Sequence, residues 1–301
     1  MNKKEEDIVY RNYVVAFIDV LGQQEYFRPL KEFKIIAKQD GLEEVLAKVD
    51  INTAYRVNKF REDFEVFFNA IIEERPVPPS VPAEKIETFK ELRRANIKYK
   101  SFSDCMQIFT PLQVVKSYTV VANSIFGMLM TSGEMMLFSL SEKSAFRAGI
   151  EIGIGIEIEK SEVYGPALFE AYRLESKIAQ YPRIVVGNIL IDYLNNLSSG
   201  TPQEENQESL DISLCKIMAE NCLNMITEDI DGCMILDYLG KEFTRGAKEA
   251  LGKEKFKEIA ELASIFVASE NKRFSKEKNV KLAQRYYLLL QYFLKNKDNF
   301  S

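Results

Sequence analysis

Two carboxylates stand where chain geometry could put them to chemical use. Asp19 closes the apolar run YVVAFIDVLG at 13–22, and Asp104 lies between two alternating segments in NIKYKSFSDCMQIFTPL at 96–112. An ionised acid at the end of a buried strand is costly unless a cation, a metal or several donors face it. Neighbouring strands run about 4.8 Å apart, so acids at the ends of two paired strands can converge. Two such acids repel, and a divalent cation removes the repulsion. Mg²⁺ in particular is held by one or two carboxylates together with substrate phosphates. Two ions about 3.5 to 4 Å apart would support phosphoryl transfer, one activating a hydroxyl and the other neutralising charge on a phosphate.

Composition narrows the alternatives. The chain has 301 residues and no histidine, which excludes Ser-His-Asp and Cys-His nucleophiles, histidine bases and nearly all zinc catalysis. Carboxylates, Lys, Arg, Tyr and oxygen-bound hard metals remain. A hydrophobic share of 46% suffices for a sizeable core. The net charge of −5 argues against general nucleic-acid binding. Cys105, Cys215, Cys222 and Cys233 lack zinc-site spacing and read as free thiols. No apolar run reaches the length of a membrane span and MNKKEEDIVY lacks a signal-peptide core, so a cytoplasmic location without membrane insertion is expected.

The elements that must position these acids follow from periodicity. Residues 13–22 read as a buried strand, and 23–72 as helices with polar outer faces. The proline-rich ERPVPPSVPAEK at 74–85 reads as an extended surface loop. Residues 96–112 form a hairpin turning at Ser103-Asp104, and 113–141 a long apolar helix. FRAGIEIGIGIEIEKSEVYG at 146–165 alternates as one or two strands, with Arg147 read as a structural strand residue. GPALFEAYRLESKIAQ at 165–180 is a helix opened by Pro166. RIVVG and CMILDYL are short strands, 195–210 is a polar loop, and the chain is helical from about 242, its last helix packing back on the body. This order predicts an α+β fold, a ferredoxin-like antiparallel sheet with helices on one face.

FIDVLG, SFSDC, RAGIEIG and GPALFEAYRLES, in that order, resemble class III nucleotide cyclases over residues 13 to about 187. The resemblance implies a catalytic domain at 1–240, with a helical insertion at about 28–95, and a helical appendage at 241–301. It makes Asp19 and Asp104 ligands of two Mg²⁺ or Mn²⁺ ions, with the Val20 carbonyl as a further metal ligand. Gly22 and Gln23 match the phosphate-binding turn after the first strand. In the helix, Gly165 and Arg173 match the family's glycine and phosphate-binding arginine, while Phe169 stands at the ribose-binding asparagine position. Lys100 and Glu162 occupy the base-reading positions. A donor and an acceptor there suit adenine or cytosine and, rearranged, uracil.

FIDVLG with SDC, GPALFEAYRLE and YPRIVV is most similar to bacterial Pycsar-type cyclases. That implies conversion of UTP or CTP to cyclic UMP or cyclic CMP as a second messenger in anti-phage defence, a homodimer with metal Asp and Arg from opposite subunits, and a separate cyclic-nucleotide-sensing effector protein. Phe169 and Ser103, the latter in place of the usual glycine, depart from the pattern. An adenylate cyclase, a silent cyclase-like nucleotide-binding or interaction module and a polymerase-type palm are the alternatives.

Overall fold

The computed structural model describes residues 9–22, 42–74, 77, 83–92, 97–112, 117–158, 162–199 and 210–300. The long strand β1 (Arg11–Val20) lies in the interior of the sheet, with a neighbour along each edge. Helices α1 (Leu42–Asn69) and α2 (Ile86–Leu92) follow, then the hairpin of β2 (Lys98–Phe102) and β3 (Cys105–Pro111), then the helix α3 (Tyr118–Ser141). Next come β4 (Phe146–Ile158), β5 (Glu162–Tyr164), α4 (Pro166–Arg173), β6 (Ile184–Val186) and α5 (Asn188–Ser199). The described chain closes with α6 (Leu210–Leu223), β7 (Ile226–Glu228), β8 (Met234–Leu236), α7 (Lys241–Leu251), α8 (Lys253–Lys276) and α9 (Val280–Lys295). The sheet order is β2-β3-β1-β4-β6-β8-β7, with β5 folded back on β4. All pairings are antiparallel except β4 with β6.

Successive strand residues face opposite sides, and β1 uses this alternation fully. Val14, Ala16, Ile18 and Val20 enter the main core beneath α1 and α3, while Tyr13 and Val15 join a smaller cluster with Val163, Ala167 and Ala171 under α4. The helical layer therefore covers one face, and α4 adds a small patch on the other. Close approach of α4 depends on missing side chains in β4. A Cβ at Gly149 would lie 2.3 Å from the Ala171 carbonyl oxygen, and one at Gly153 would lie 3.0 Å from the Ala167 backbone. The glycines of RAGIEIGIG thus make the flat seat that holds this helix.

One expectation needs correction. Helix α3 does have the length and hydropathy of a membrane span, but 94% of that window is buried inside the protein. Its apolar circumference reflects a core helix surrounded by neighbours. The C-terminal helices are part of that enclosure, since Phe243, Phe256, Val267, Leu289 and Phe293 share one cluster with β1 and α3. Tyr292 pins them, its hydroxyl donating to Asp237 at 2.8 Å and accepting from the Leu239 amide at 2.8 Å. The polar loop expected at 195–210 is wrong in its first residues, because Asn195–Ser199 finish α5, while 200–209 lie outside the described residues, and strand β7 was not foreseen. Of the proline-rich loop, Glu74 ends a helical turn and Ala83–Lys85 form another; Pro76 and 78–82 lie outside the described residues.

Two buried ionic groups have opposite characters. Arg183, almost wholly buried, donates to Asp229, to Asp231 at 2.6 Å and to the Ile178 carbonyl at 2.8 Å, tying the entry of β6 to the β7–β8 turn. Glu134 on α3 is also buried, and its Oε1 has no hydrogen-bond partner among the described residues. Burial pushes its carboxyl up to about 8. Because the folded-state value lies above the unfolded one, this group favours folding fully below about pH 4.5, and that contribution is lost as pH rises through about 8. Glu134→Gln is therefore expected to flatten the decline of thermal stability between about pH 5 and 8, by up to about 1.4 kcal/mol per pH unit. Circular-dichroism melts across that range check this, and parallel wild-type and variant profiles would refute it.

Candidate active site

The register of β1 against β3 pairs Asp19 with Cys105, one residue beyond the hairpin turn. Asp104 occupies the second turn position, and its backbone carbonyl accepts the Val20 amide at 3.0 Å. The sheet ladder therefore places the two acids together whatever their side chains do. Ligand atoms of Asp19, Asp104 and Cys105 all lie within 4.8 Å of one another. Ser103, ahead of Asp104, has φ 55°, the left-handed region where a glycine would be unstrained.

The cation that offsets Asp19 is Arg147, directly across the ladder on β4. Its Nη2 donates to Asp19 Oδ2 at 2.7 Å, and the same nitrogen lies 2.7 Å from Glu175 Oε1 without hydrogen-bond alignment. Arg147, expected from sequence to be a structural strand residue, is thus the ion-pair partner of Asp19 and Glu175. Glu175, just past α4 and 3% exposed in its side chain, brings a third carboxylate that sequence reading missed. Burial pushes Glu175 up to about 7, with Arg147 opposing and Asp19 adding to the rise. A signal existed in the pattern: Glu175 lies a half-turn beyond Arg173, on the flank where Leu174 is buried. What hid it is that an acid in an amphipathic helix usually faces solvent.

The donor set fits a hard divalent cation. Burial, then the charges of Asp19 and Asp104, push the Cys105 thiol up to about 12, so it remains protonated and its Sγ donates to Asp19 Oδ1 at 3.7 Å. Asp19 and Asp104 then offer the anionic oxygens, donors of the kind that suit Mg²⁺ or Mn²⁺. Arg147 holds the opposing position on Asp19, a counter-ion already in place.

The remaining predicted residues lie in three further places. Gly22 sits in an exposed turn at φ 85°, which favours glycine, and Gln23 lies outside the described residues. Phe169 and Arg173 share the outward face of α4, opposite buried Ala167 and Ala171, with Phe169 62% exposed. Arg173 donates to Glu170 at 2.6 Å, and among the described residues no hydrogen bond or ion pair links it to Asp19 or Asp104. Tyr172 meets Phe17 edge to face at 5.2 Å, fixing α4 on the same face of β1 as Asp19. Lys100 on β2 and Glu162 on β5, far apart in sequence, come together at 3.9 Å, their side chains 46% and 45% exposed. A second ion pair, Lys98 with Glu157, ties the same two regions. One chain thus carries an acid cluster at one end of the sheet strands and a Lys–Glu pair where β5 meets β2.

No protein-family model matches the sequence, and no curated protein matches it. Among solved structures, the chain is similar to the adenylyl cyclase CyaB from P. aeruginosa, with 12% identity and a TM-score of 0.37, over 67% of this chain and 89% of that one. It is also similar to a class III adenylyl cyclase-like ATP-binding protein from Pseudomonas aeruginosa, with 11% identity and a TM-score of 0.34, over 70% of this chain and 40% of that one.

Proposed function

We propose that the protein is a metal-dependent nucleotide cyclase, converting a nucleoside triphosphate to its 3′,5′-cyclic monophosphate and pyrophosphate. The observation that carries this reading is the meeting of Asp19 and Asp104 at one sheet edge, their ligand atoms within 4.8 Å. The ordered sequence motifs, with Arg173 and the Lys100–Glu162 pair at their family positions, add support.

Asp19 and Asp104 would hold Mg²⁺ or Mn²⁺, with the Val20 carbonyl as a further ligand. When bound, the metal supplies charge neutralisation at the phosphates and lowers the pKa of the attacking hydroxyl. The chain's own residues do the rest. The 3′-hydroxyl of the ribose displaces pyrophosphate from the α-phosphorus, forming one P–O bond as another breaks and releasing the hydroxyl proton to solvent. Arg173 offers two parallel donors to the phosphate in its crowded transition state. Gly22 and Gln23 would bind the phosphate tail. Lys100 and Glu162 present a donor and an acceptor to the base, Phe169 covers the sugar, and Arg147 orients Asp19.

The substrate is UTP or CTP on this reading, and the product serves as a second messenger to a separate effector protein in anti-phage defence. The family resemblance implies a homodimer in which each chain's Arg173 serves its partner's acids and completes the site, and this agrees with Arg173 having no hydrogen bond or ion pair to Asp19 or Asp104 among the described residues. The 1–240 region supplies the catalytic groups and 241–301 the helical appendage.

A panel of the four ribonucleoside triphosphates with Mn²⁺, analysed by mass spectrometry, tests this. A cyclic pyrimidine nucleotide is expected. Cyclic AMP as the main product would reassign the base, and no cyclic product from any triphosphate would leave the silent-module alternative, which Phe169 favours.

A further inference from the structure

The sheet end beyond Asp19 opens into a cleft of about 510 Å³, bounded on one side by Gly22 and the α3–β4 turn and on the other by α8 and α9. That volume lies within the roughly 300 to 1,000 Å³ of small-molecule sites. Its charged lining is lopsided: Lys143, Arg273 and Arg285 are set against the single carboxylate of Glu270. Arg273 is committed to Glu270 at 2.5 Å and lies over the Phe274 ring at 4.3 Å. Among the described residues no carboxylate pairs with Lys143 or Arg285. Arg285 is half-buried, and burial together with the charge of Arg147 holds its pKa below the usual arginine value. A partly desolvated guanidinium beside another cation, facing open space, is a position that an anion relieves.

The chemistry of that anion follows from the donors. With Arg273 held by Glu270, the guanidinium fork of Arg285 and the ammonium of Lys143 remain, two positive charges that exceed what a monocarboxylate can neutralise and that match the several oxygens of phosphates. The α8–α9 wall also carries three aromatic rings, the half-buried Phe266 and the buried Phe274 and Tyr286, with Phe274 and Tyr286 at 5.4 Å and Phe266 and Tyr286 at 6.1 Å between ring centroids. Flat apolar surface beside a cationic pole suits a phosphorylated molecule with a planar ring.

We propose that this cleft, which borders the Gly22 turn of the proposed substrate site but is lined by neither metal-binding acid, is a binding site for a phosphorylated small molecule, with Arg285 and Lys143 as its phosphate-binding residues and the C-terminal helices as its far wall. It places a ligand-responsive element against the end of β1, two residues from Val20. The site needs no metal, which separates it experimentally from Asp19 and Asp104.

Isothermal titration of the full-length protein with inorganic pyrophosphate in excess EDTA is the test. Saturable binding is expected, weakened about tenfold or more in Arg285→Ala and in Lys143→Glu. The latter changes an exposed side chain, so folding is preserved, and a melting curve verifies it. Uridine triphosphate under the same conditions distinguishes the ligand's source: tighter binding than pyrophosphate gives the aromatic wall a base, and equal binding makes phosphate alone the ligand. Absence of metal-free binding, or affinity unchanged in both variants, would overturn the proposal. Cyclic-nucleotide formation is measured separately, so loss of either reading leaves the other standing.

Discussion

Asp104→Asn is expected to reduce cyclic-nucleotide formation by about 10³-fold or more while leaving the fold intact. The side chain contributes charge to the candidate metal centre, and removing one ligand of a metal that activates the nucleophile costs several kcal/mol of transition-state stabilisation. The fold survives because the structural work at this position is done by the backbone: the Asp104 carbonyl, not its carboxylate, accepts the Val20 amide at 3.0 Å. Asparagine also occupies turn positions readily. Melting temperature should therefore change little, and turnover measured with Mn²⁺ should collapse. A variant retaining more than a tenth of wild-type turnover would remove Asp104 from the catalytic account.

Replacing Arg147 should act mainly on stability and on metal affinity. Its side chain is 15% exposed, and it lies between Asp19, 19% exposed, and the nearly buried Glu175. Arg147→Met strands two carboxylates in a poorly solvated site, a loss of about 3 kcal/mol or more when one partner of a buried pair is removed. At about 2–4 °C per kcal/mol, the melting temperature should fall by roughly 6–12 °C without metal. A cation that binds the folded state selectively stabilises it by mass action. With its resident competitor gone, Mn²⁺ should raise the melting temperature of Arg147→Met by more than it raises that of the wild type. Equal metal-induced shifts in the two proteins would show that Arg147 does not compete for the acid.

Much of this arrangement was legible in the sequence, for identifiable reasons. The short apolar run of YVVAFIDVLG marks one strand, the alternation around Ser103-Asp104 marks two more, and a two-residue turn fixes the register of that hairpin. With the first strand beside the hairpin, as the ferredoxin-like order predicts, Asp19 meets the hairpin tip. The glycine spacing of RAGIEIGIG likewise anticipates a strand under close approach. Arg147 was less legible, because its pairing depends on β4 lying directly beside β1, a contact across more than a hundred residues that no local pattern specifies. Glu175 was hidden by the rule that helical acids face water. The helix at Asn188–Ser199 and the short β7 were obscured differently: the first runs straight into a polar tract, and the second, three residues long, is too brief to show a period. The apolar run of α3 misled in another way, since burial on all sides demands the same composition that a membrane would.

The claim beneath all of this is that Asp19 and Asp104 together bind a divalent cation. Titration of Mn²⁺ into the protein, followed by the electron paramagnetic resonance signal of the free ion, tests it directly. The account predicts saturable binding to the wild type that is lost in Asp19→Asn and in Asp104→Asn. Failure of the wild type to bind, or undiminished binding by both variants, would contradict it.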